Sequence, residues 1–167
     1  MAIYMKVEGS KKIEGPVTTQ GFAKQIELTR CDFRASRTVS TASRSEQKRT
    51  HAEAFLEEIR VSKAWDATSS SKLFEAVASG TADLKVTITF TSADESGPLT
   101  FLVIELEKCA FTFYDLRAEA GETGSQPTED LAINYTKFTM TPSTVDSDKK
   151  PQKGSVVSHD MLTGKTG

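Results

Sequence analysis

Cysteine is scarce in this chain. Only Cys31 and Cys109 occur among 167 residues, too few for a disulfide framework. They read as two small buried thiols, with a single pairing between them left open. The histidines are His51 and His159 alone. A metal site would need both to meet each other and further Cys or carboxylate ligands, so solvated or locally bonded imidazoles are expected, and no metal. Long apolar runs are missing as well: Phe101 to Ile104 is a run of only four and Met1 to Met5 of five, far short of the ~20 residues that cross a membrane. The opening Met1 to Val7 has no basic stretch followed by a long apolar one, so it does not read as a secretory signal. Charge of one sign is absent overall. Lys plus Arg number 21 against 23 Asp plus Glu, a net −2, which argues against a coat for nucleic acid or for an anionic membrane.

Catalytic signatures are also lacking. Neither a Gly-x-Ser-x-Gly elbow nor a His-Glu-x-x-His pair occurs. Gly164-Lys165-Thr166 has the ending of a phosphate-binding loop, but His159 stands where that loop requires glycine. Asn134-Tyr135-Thr136 fits a glycosylation triplet, yet it falls in a stretch that reads as strand. No enzyme and no cofactor are expected.

What the chain does have is alternation of period two. Ile3, Met5 and Val7 share one face; Ile26 with Leu28, and Ile59 with Val61, repeat the pattern. Val86 to Phe90 is β-branched on both faces. Leu99 to Leu106 is apolar on both sides, as a strand buried in a closed or two-layered sheet would be. Beyond it the phase changes, because Cys109, Phe111 and Phe113 share a parity that Leu102, Ile104 and Leu106 do not. A bulge near Glu107-Lys108 accounts for the change. Leu131, Ile133 and Tyr135 give way to Phe138 and Met140 in the same manner. Strands that bend in this way suit a small barrel. The expected fold is therefore mainly β, with one helix at about 69–80. That helix has cap candidates from Asp66 to Ser71, a stripe of Leu73, Phe74 and Val77, and a stop at Gly80. Trp65 is expected to anchor the helix to the sheet, and Leu73, Phe74 and Val77 to pack into the core.

Two polar segments interrupt the strands. Residues 30 to 51 hold six cations against two carboxylates, a net +4, and residues 115 to 130 hold five carboxylates against one arginine, a net −4. Long irregular segments in a compact domain are usually functional. Aromatic residues are sparse near the first, with Phe33 and Phe55 alone nearby, so its arginines are expected to meet protein carboxylates rather than nucleic acid. A polar tail from about 145 to 167 follows, in which Val156-Val157 could form a last short strand.

The order of these blocks resembles one family. Met1 to Val7 is followed by Ile13-Glu14-Gly15 and Ile26-Glu27-Leu28. After the long loop come Ile59-Arg60-Val61-Ser62-Lys63-Ala64-Trp65-Asp66 and Ser70-Ser71-Lys72-Leu73-Phe74-Glu75-Ala76-Val77-Ala78-Ser79-Gly80. The strand, Lys, Asp, serine cluster and short helix ending in Gly are similar to those of the haemolysin-coregulated protein (Hcp) family of the bacterial type VI secretion system. The later strands and the polar loop containing Pro127 keep the same order. One departure is a serine run where members often have Ser-Pro at the helix start. The resemblance implies one bulged β-barrel domain over 1–167, built of two packed antiparallel sheets with a flanking helix. It further implies hexameric rings that stack into an inner tube, and a contractile sheath that drives the tube behind a spike. Effector proteins would ride in the ring lumen, with assembly in the cytoplasm and secretion without a cleaved signal. No nucleic acid and no membrane insertion are expected. The loop charges then suggest ring stacking through Arg37, Arg44, Lys48 and Arg49 on one face and Glu119, Glu122, Glu129 and Asp130 on the other. The competing readings are a monomeric β-barrel that binds a small ligand and, with no motif behind it, a small hydrolase.

Overall fold

The computed structural model describes residues 1–37, 54–94, 97–121, 126–145 and 151–167. The first strand, β1 (Ala2–Gly9), pairs antiparallel with β2 (Ile26–Leu28) on one side and with β7 (Leu84–Asp94) on the other. β7 pairs with β8 (Gly97–Arg117), and β8 pairs with β10 (Lys137–Val145). β12 (Val157–Asp160) and β13 (Lys165–Thr166) extend this first sheet, while β11 (Pro151–Lys153) pairs with the far part of β10. The tail thus contributes three short strands rather than the single one expected at Val156-Val157.

The second sheet is built on the other half of β8. Residues from Ala110 onward pair with β9 (Thr128–Asn134), β9 pairs with β6 (Ile59–Ala64), and β6 pairs with β3 (Arg30–Asp32). A small hairpin stem, β4 (Ala35–Arg37) with β5 (Ala54–Leu56), stands apart from both sheets. β8 therefore belongs to two sheets, and its change of parity is where it turns. Leu84 faces Cys109 whereas Val86 faces Leu106, so β8 carries one residue more than its partner there, and Lys108 sits at φ 50°. That is the expected bulge at Glu107-Lys108. Beside it the neighbouring strand breaks at Tyr135-Thr136, with the Thr136 amide donating to the Glu107 carbonyl at 3.1 Å. The glycosylation triplet straddles this break instead of lying within a strand. On the opposite side the chain passes from β2 to β3 through Thr29, whose amide donates to Ser62 O at 2.8 Å. Two chain segments thus fold the sheets onto each other, and the circuit between β2 and β3 is completed by chain continuity.

The enclosed core is aliphatic and comes from both sheets: Met5, Val7, Ile26, Val86, Ile88 and Leu106 from the first, Ile59, Val61, Leu131 and Ile133 from the second. Gly15 lies where only hydrogen fits, since a Cβ there would come within 2.3 Å of the Gln25 carbonyl oxygen.

The single α-helix among the described residues, α1 (Ser70–Ala78), ends in a Schellman motif. Gly80 at φ 65° donates to Val77 O and Thr81 donates to Ala76 O. Its buried face is Ser70, Leu73 and Ala76, with Val77 partly buried. Phe74, expected in the core, is 56% exposed, and Trp65 is 43% exposed. The reason for Phe74 is angular. Successive helical side chains are about 100° apart, so a face centred on Leu73 excludes its neighbour at 74. Leu73→Ala should cost about 2–5 kcal/mol of stability. Phe74→Ala removes a half-exposed ring and its edge-on contact with Tyr114 and should cost less, about 0.5–1.5 kcal/mol. Paired urea titrations check the contrast, and equal losses would contradict this orientation of α1.

Candidate interaction surfaces and a buried ionic network

β6 alternates Ile59, Val61, Lys63 toward the core, and β9 alternates Glu129, Leu131, Ile133. The register sets Lys63 directly opposite Glu129. Both are fully buried, at 1% and 0% exposure, where charges are tolerated only when paired. Lys63 Nζ donates to Glu129 Oε2 at 2.5 Å, to Asp66 Oδ2 at 2.8 Å and to Ser70 Oγ at 3.0 Å. Those three bonds use all of its protons. Ser70 Oγ donates to Glu129 Oε2 at 2.9 Å and accepts the Asp66 amide at 3.0 Å. Tyr114 OH donates to Glu129 Oε1 at 2.5 Å. Asp66 Oδ1 receives the amides of Thr68 and Ser69, and Oδ2 receives Ser69 Oγ. The turn into α1 is therefore capped by Asp66 rather than by a side chain of the serine run.

Burial alone would raise the Asp66 carboxyl. Hydrogen bonds from Lys63 and Ser69 outweigh it and hold the group below the usual carboxylate range. Burial and the hydrogen bond to Glu129 raise the Tyr114 phenol well above its ordinary value. Chemically the network is closed. The Ser70 hydroxyl proton is committed to a carboxylate and the lysine has no free donor. What these groups do is fasten α1, β6, β9 and β8 to one another.

The network also shapes the surface. Past Cys109, β8 pairs among the described residues with β9 on one side only, because β7 leaves it at Leu84. The free edge is partly covered by α1. Between them lies an open groove of about 350 Å³ lined by Trp65, Ala67, Phe74, Tyr114 and Leu116. Tyr114, held by Glu129, stands edge-on to Phe74 with ring centroids 5.5 Å apart. Trp65 donates its amide to Pro127 O at 2.8 Å, so both ends of the acidic 115–130 segment border the groove.

The charged residues singled out in the sequence are placed unevenly. Arg37 is exposed on β4, and Glu119 is exposed beyond the end of β8. Arg44, Lys48, Arg49 and Glu122 lie outside the described residues. Glu129 is no surface charge at all, being buried against Lys63. Asp130 is half-buried, receives Ser62 Oγ at 2.5 Å and pairs with Arg117 at 3.2 Å. The described stem of Ala35–Arg37 with Ala54–Leu56 lies before Ile59 at one end of β6, and Thr128, near the close of the acidic stretch, faces Ala64 at the other. Both thiols are free; burial pushes Cys31 up to about 11 and Cys109 up to about 12. The sequence reading does not join Lys63 and Glu129 as a pair, although parity offers a signal. Each is in phase with an aliphatic row, and a charge there demands a partner.

A family model described as type VI secretion system effector, Hcp, matches residues 4–141. The chain belongs to the Hcp family. Solved structures share its fold over nearly the whole length. One described as a type six secretion system protein superposes with a TM-score of 0.86 at 20% identity, covering 99% of this chain and 100% of that one. Hcp1 from Salmonella typhimurium gives a TM-score of 0.72 at 11% identity, covering 100% of both chains. Hcp1 from the E. coli EAEC 042 pathovar gives 0.70 at 15% identity, covering 93% and 98%. No curated protein matches the sequence.

The network generates two expectations. Lys63→Met strands Glu129 in the core and should cost about 3–5 kcal/mol, whereas Lys63→Met with Glu129→Leu should recover most of that loss. Equilibrium unfolding in urea measures both, and a neutral single variant would show the pair to be dispensable. The second concerns acid. Because the Asp66 carboxyl titrates lower in the folded chain than in the unfolded one, its contribution is complete above the unfolded value of about 3.9. It is lost as pH falls through the folded value. Asp66→Asn should lower stability at neutral pH and flatten the acid limb below about pH 4; an unchanged acid limb would refute the assignment.

Proposed function

We propose that this protein is the inner-tube subunit of a type VI secretion system. The Hcp family match over residues 4–141 supports the reading, and exposed Arg37 on the stem before β6 and exposed Glu119 beyond the end of β8 support its polarity. Six copies form a ring through a heterologous interface that closes. Rings stack head to tail, a contractile sheath propels the stack behind a spike, and effector proteins travel in the lumen. The chain acts as one β-barrel domain over 1–167, with a basic arm and a polar tail. It is built in the cytoplasm and is then secreted. Its role is structural, not enzymatic.

Stacking draws on the arm cations Arg37, Arg44, Lys48 and Arg49 and on the acidic residues that remain available. Glu119 and Glu122 fill that role; Glu129 is excluded by its burial, and Asp130 is largely spent on Arg117. Single exposed pairs are worth only ~0.2–1 kcal/mol and are weakened by salt. Repetition around a ring makes them a reversible bias rather than a lock.

Sedimentation of the purified chain should give a species of six times the 18.2 kDa chain mass, and negative-stain images should show rings. A chain that stays at 18.2 kDa across concentration would overturn the proposal in favour of a monomeric ligand-binding barrel. Charge reversal at Arg44, Lys48 and Arg49 should leave rings intact and shorten tubes at low salt. Added reversal of Glu119 and Glu122 should lengthen them again. Undiminished stacking by the triple variant would show those cations to be ordinary solvated surface.

A further inference from the structure

We infer that Tyr135 and Phe138, on the jog between β9 and β10, are positioning residues for the arm of β4 and β5. They clamp the bend at its root and so fix the direction in which it leaves the barrel. The inference rests on the stacking reading above, in which that arm carries cations toward the next ring. The bend is legible in the register. Asp32 faces Arg60 where β3 meets β6, and Ala35 faces Leu56 at the start of the stem. Between those pairs one leg has Phe33 and Arg34, and the other has Glu57, Glu58 and Ile59. The returning leg thus carries one residue more. That is a β-bulge, and a bulge bends the ribbon that contains it. The Glu57 amide donates to Arg34 O at 3.0 Å and holds the two legs together. The Glu57 carbonyl finds its partner outside the ribbon.

The jog supplies a tie to each leg. Tyr135 OH donates to the Glu57 carbonyl oxygen at 3.0 Å, and Asn134 Nδ2 donates to Glu58 Oε1 at 3.2 Å. On the outgoing leg the Phe33 ring stacks on Phe138, with centroids 4.5 Å apart and planes 12° apart. Phe138 in turn lies 6.0 Å from the Tyr135 ring, centroid to centroid. Tyr135 and Phe138 belong to the core, at 3% and 4% exposure, whereas the stem they hold is mostly exposed. Burial pushes the Tyr135 phenol up to about 12, so it keeps the proton it donates throughout the neutral range. Among the described residues, the stem pairs with neither of the two large sheets. A two-stranded ribbon on its own is only marginally ordered, so its root decides where it points. Without the hydroxyl the bulged carbonyl would turn to water, and the root would open at lower cost than the core behind it.

The test uses the full chain. Tyr135→Phe removes one hydroxyl and keeps the ring. Hydrogen exchange across the stem, Ala35–Arg37 and Ala54–Leu56, and at Glu57 should quicken by up to about tenfold, the equivalent of one hydrogen bond. Amides of β1 and β7 should keep the parent's protection. Unchanged exchange at the stem overturns the inference, and so does an equal rise in β1 and β7, which marks a general loss of stability. In stacking assays at low salt, Tyr135→Phe and Phe33→Ala should form rings of the parent's mass and shorter tubes. Leu73→Ala, which weakens the core at α1, should keep the parent's tube length. Parental tubes from Tyr135→Phe overturn the inference, as do Leu73→Ala tubes shortened to the same extent. A parent chain that forms no rings overturns the tube reading, and the exchange result then decides the clamp by itself.

Discussion

The Lys63–Glu129 pair constrains more of this molecule than any other contact. Two opposite charges lie in an otherwise aliphatic wall, 2.5 Å apart and shut off from water. Desolvating them is costly, and their attraction offsets that cost only while every remaining donor and lone pair is met. Asp66, Ser70 and Tyr114 meet them. Each requirement fixes an element. A slip of one residue between β6 and β9 would turn one charge outward and leave the other alone in the core, so the register is pinned. Ser70 has to stand at the first turn of α1, which sets where the helix begins. Tyr114 has to reach inward from the free edge of β8, which sets the floor of the groove. A buried pair is weak support for raw stability, but here it specifies one arrangement of four elements.

The same logic explains what could and could not be read from the residues. The turn of β8 was legible because a bulge reverses parity, and the reversal from Ile104 and Leu106 to Cys109 and Phe111 is written in the chain. The break between Ile133 and Phe138 left the same trace, although the sequence does not distinguish a bulge from a jog between two strands. Cap candidates and a glycine stop mark the helix in the sequence, but its apolar letters do not fix which face is buried. Leu73, Phe74 and Val77 are equally apolar as letters, and only the buried small residues Ser70 and Ala76 show which way the helix turns. Glu129 was grouped with its acidic neighbours because net charge ignores parity. Adjacent carboxylates on a strand point to opposite sides, so Glu129 and Asp130 have different fates.

The surface features follow from the way the sheets are joined. A strand shared between two sheets leaves β7 behind at the bulge, and from there on one edge of β8 has no strand beside it among the described residues. Exposed edges invite uncontrolled pairing. Here α1 lies over that edge, held by the buried network, and the aromatic groove is the gap left where a nine-residue helix covers a strand that continues past it. The groove is thus a consequence of protecting the edge, built from residues that the protection itself positions.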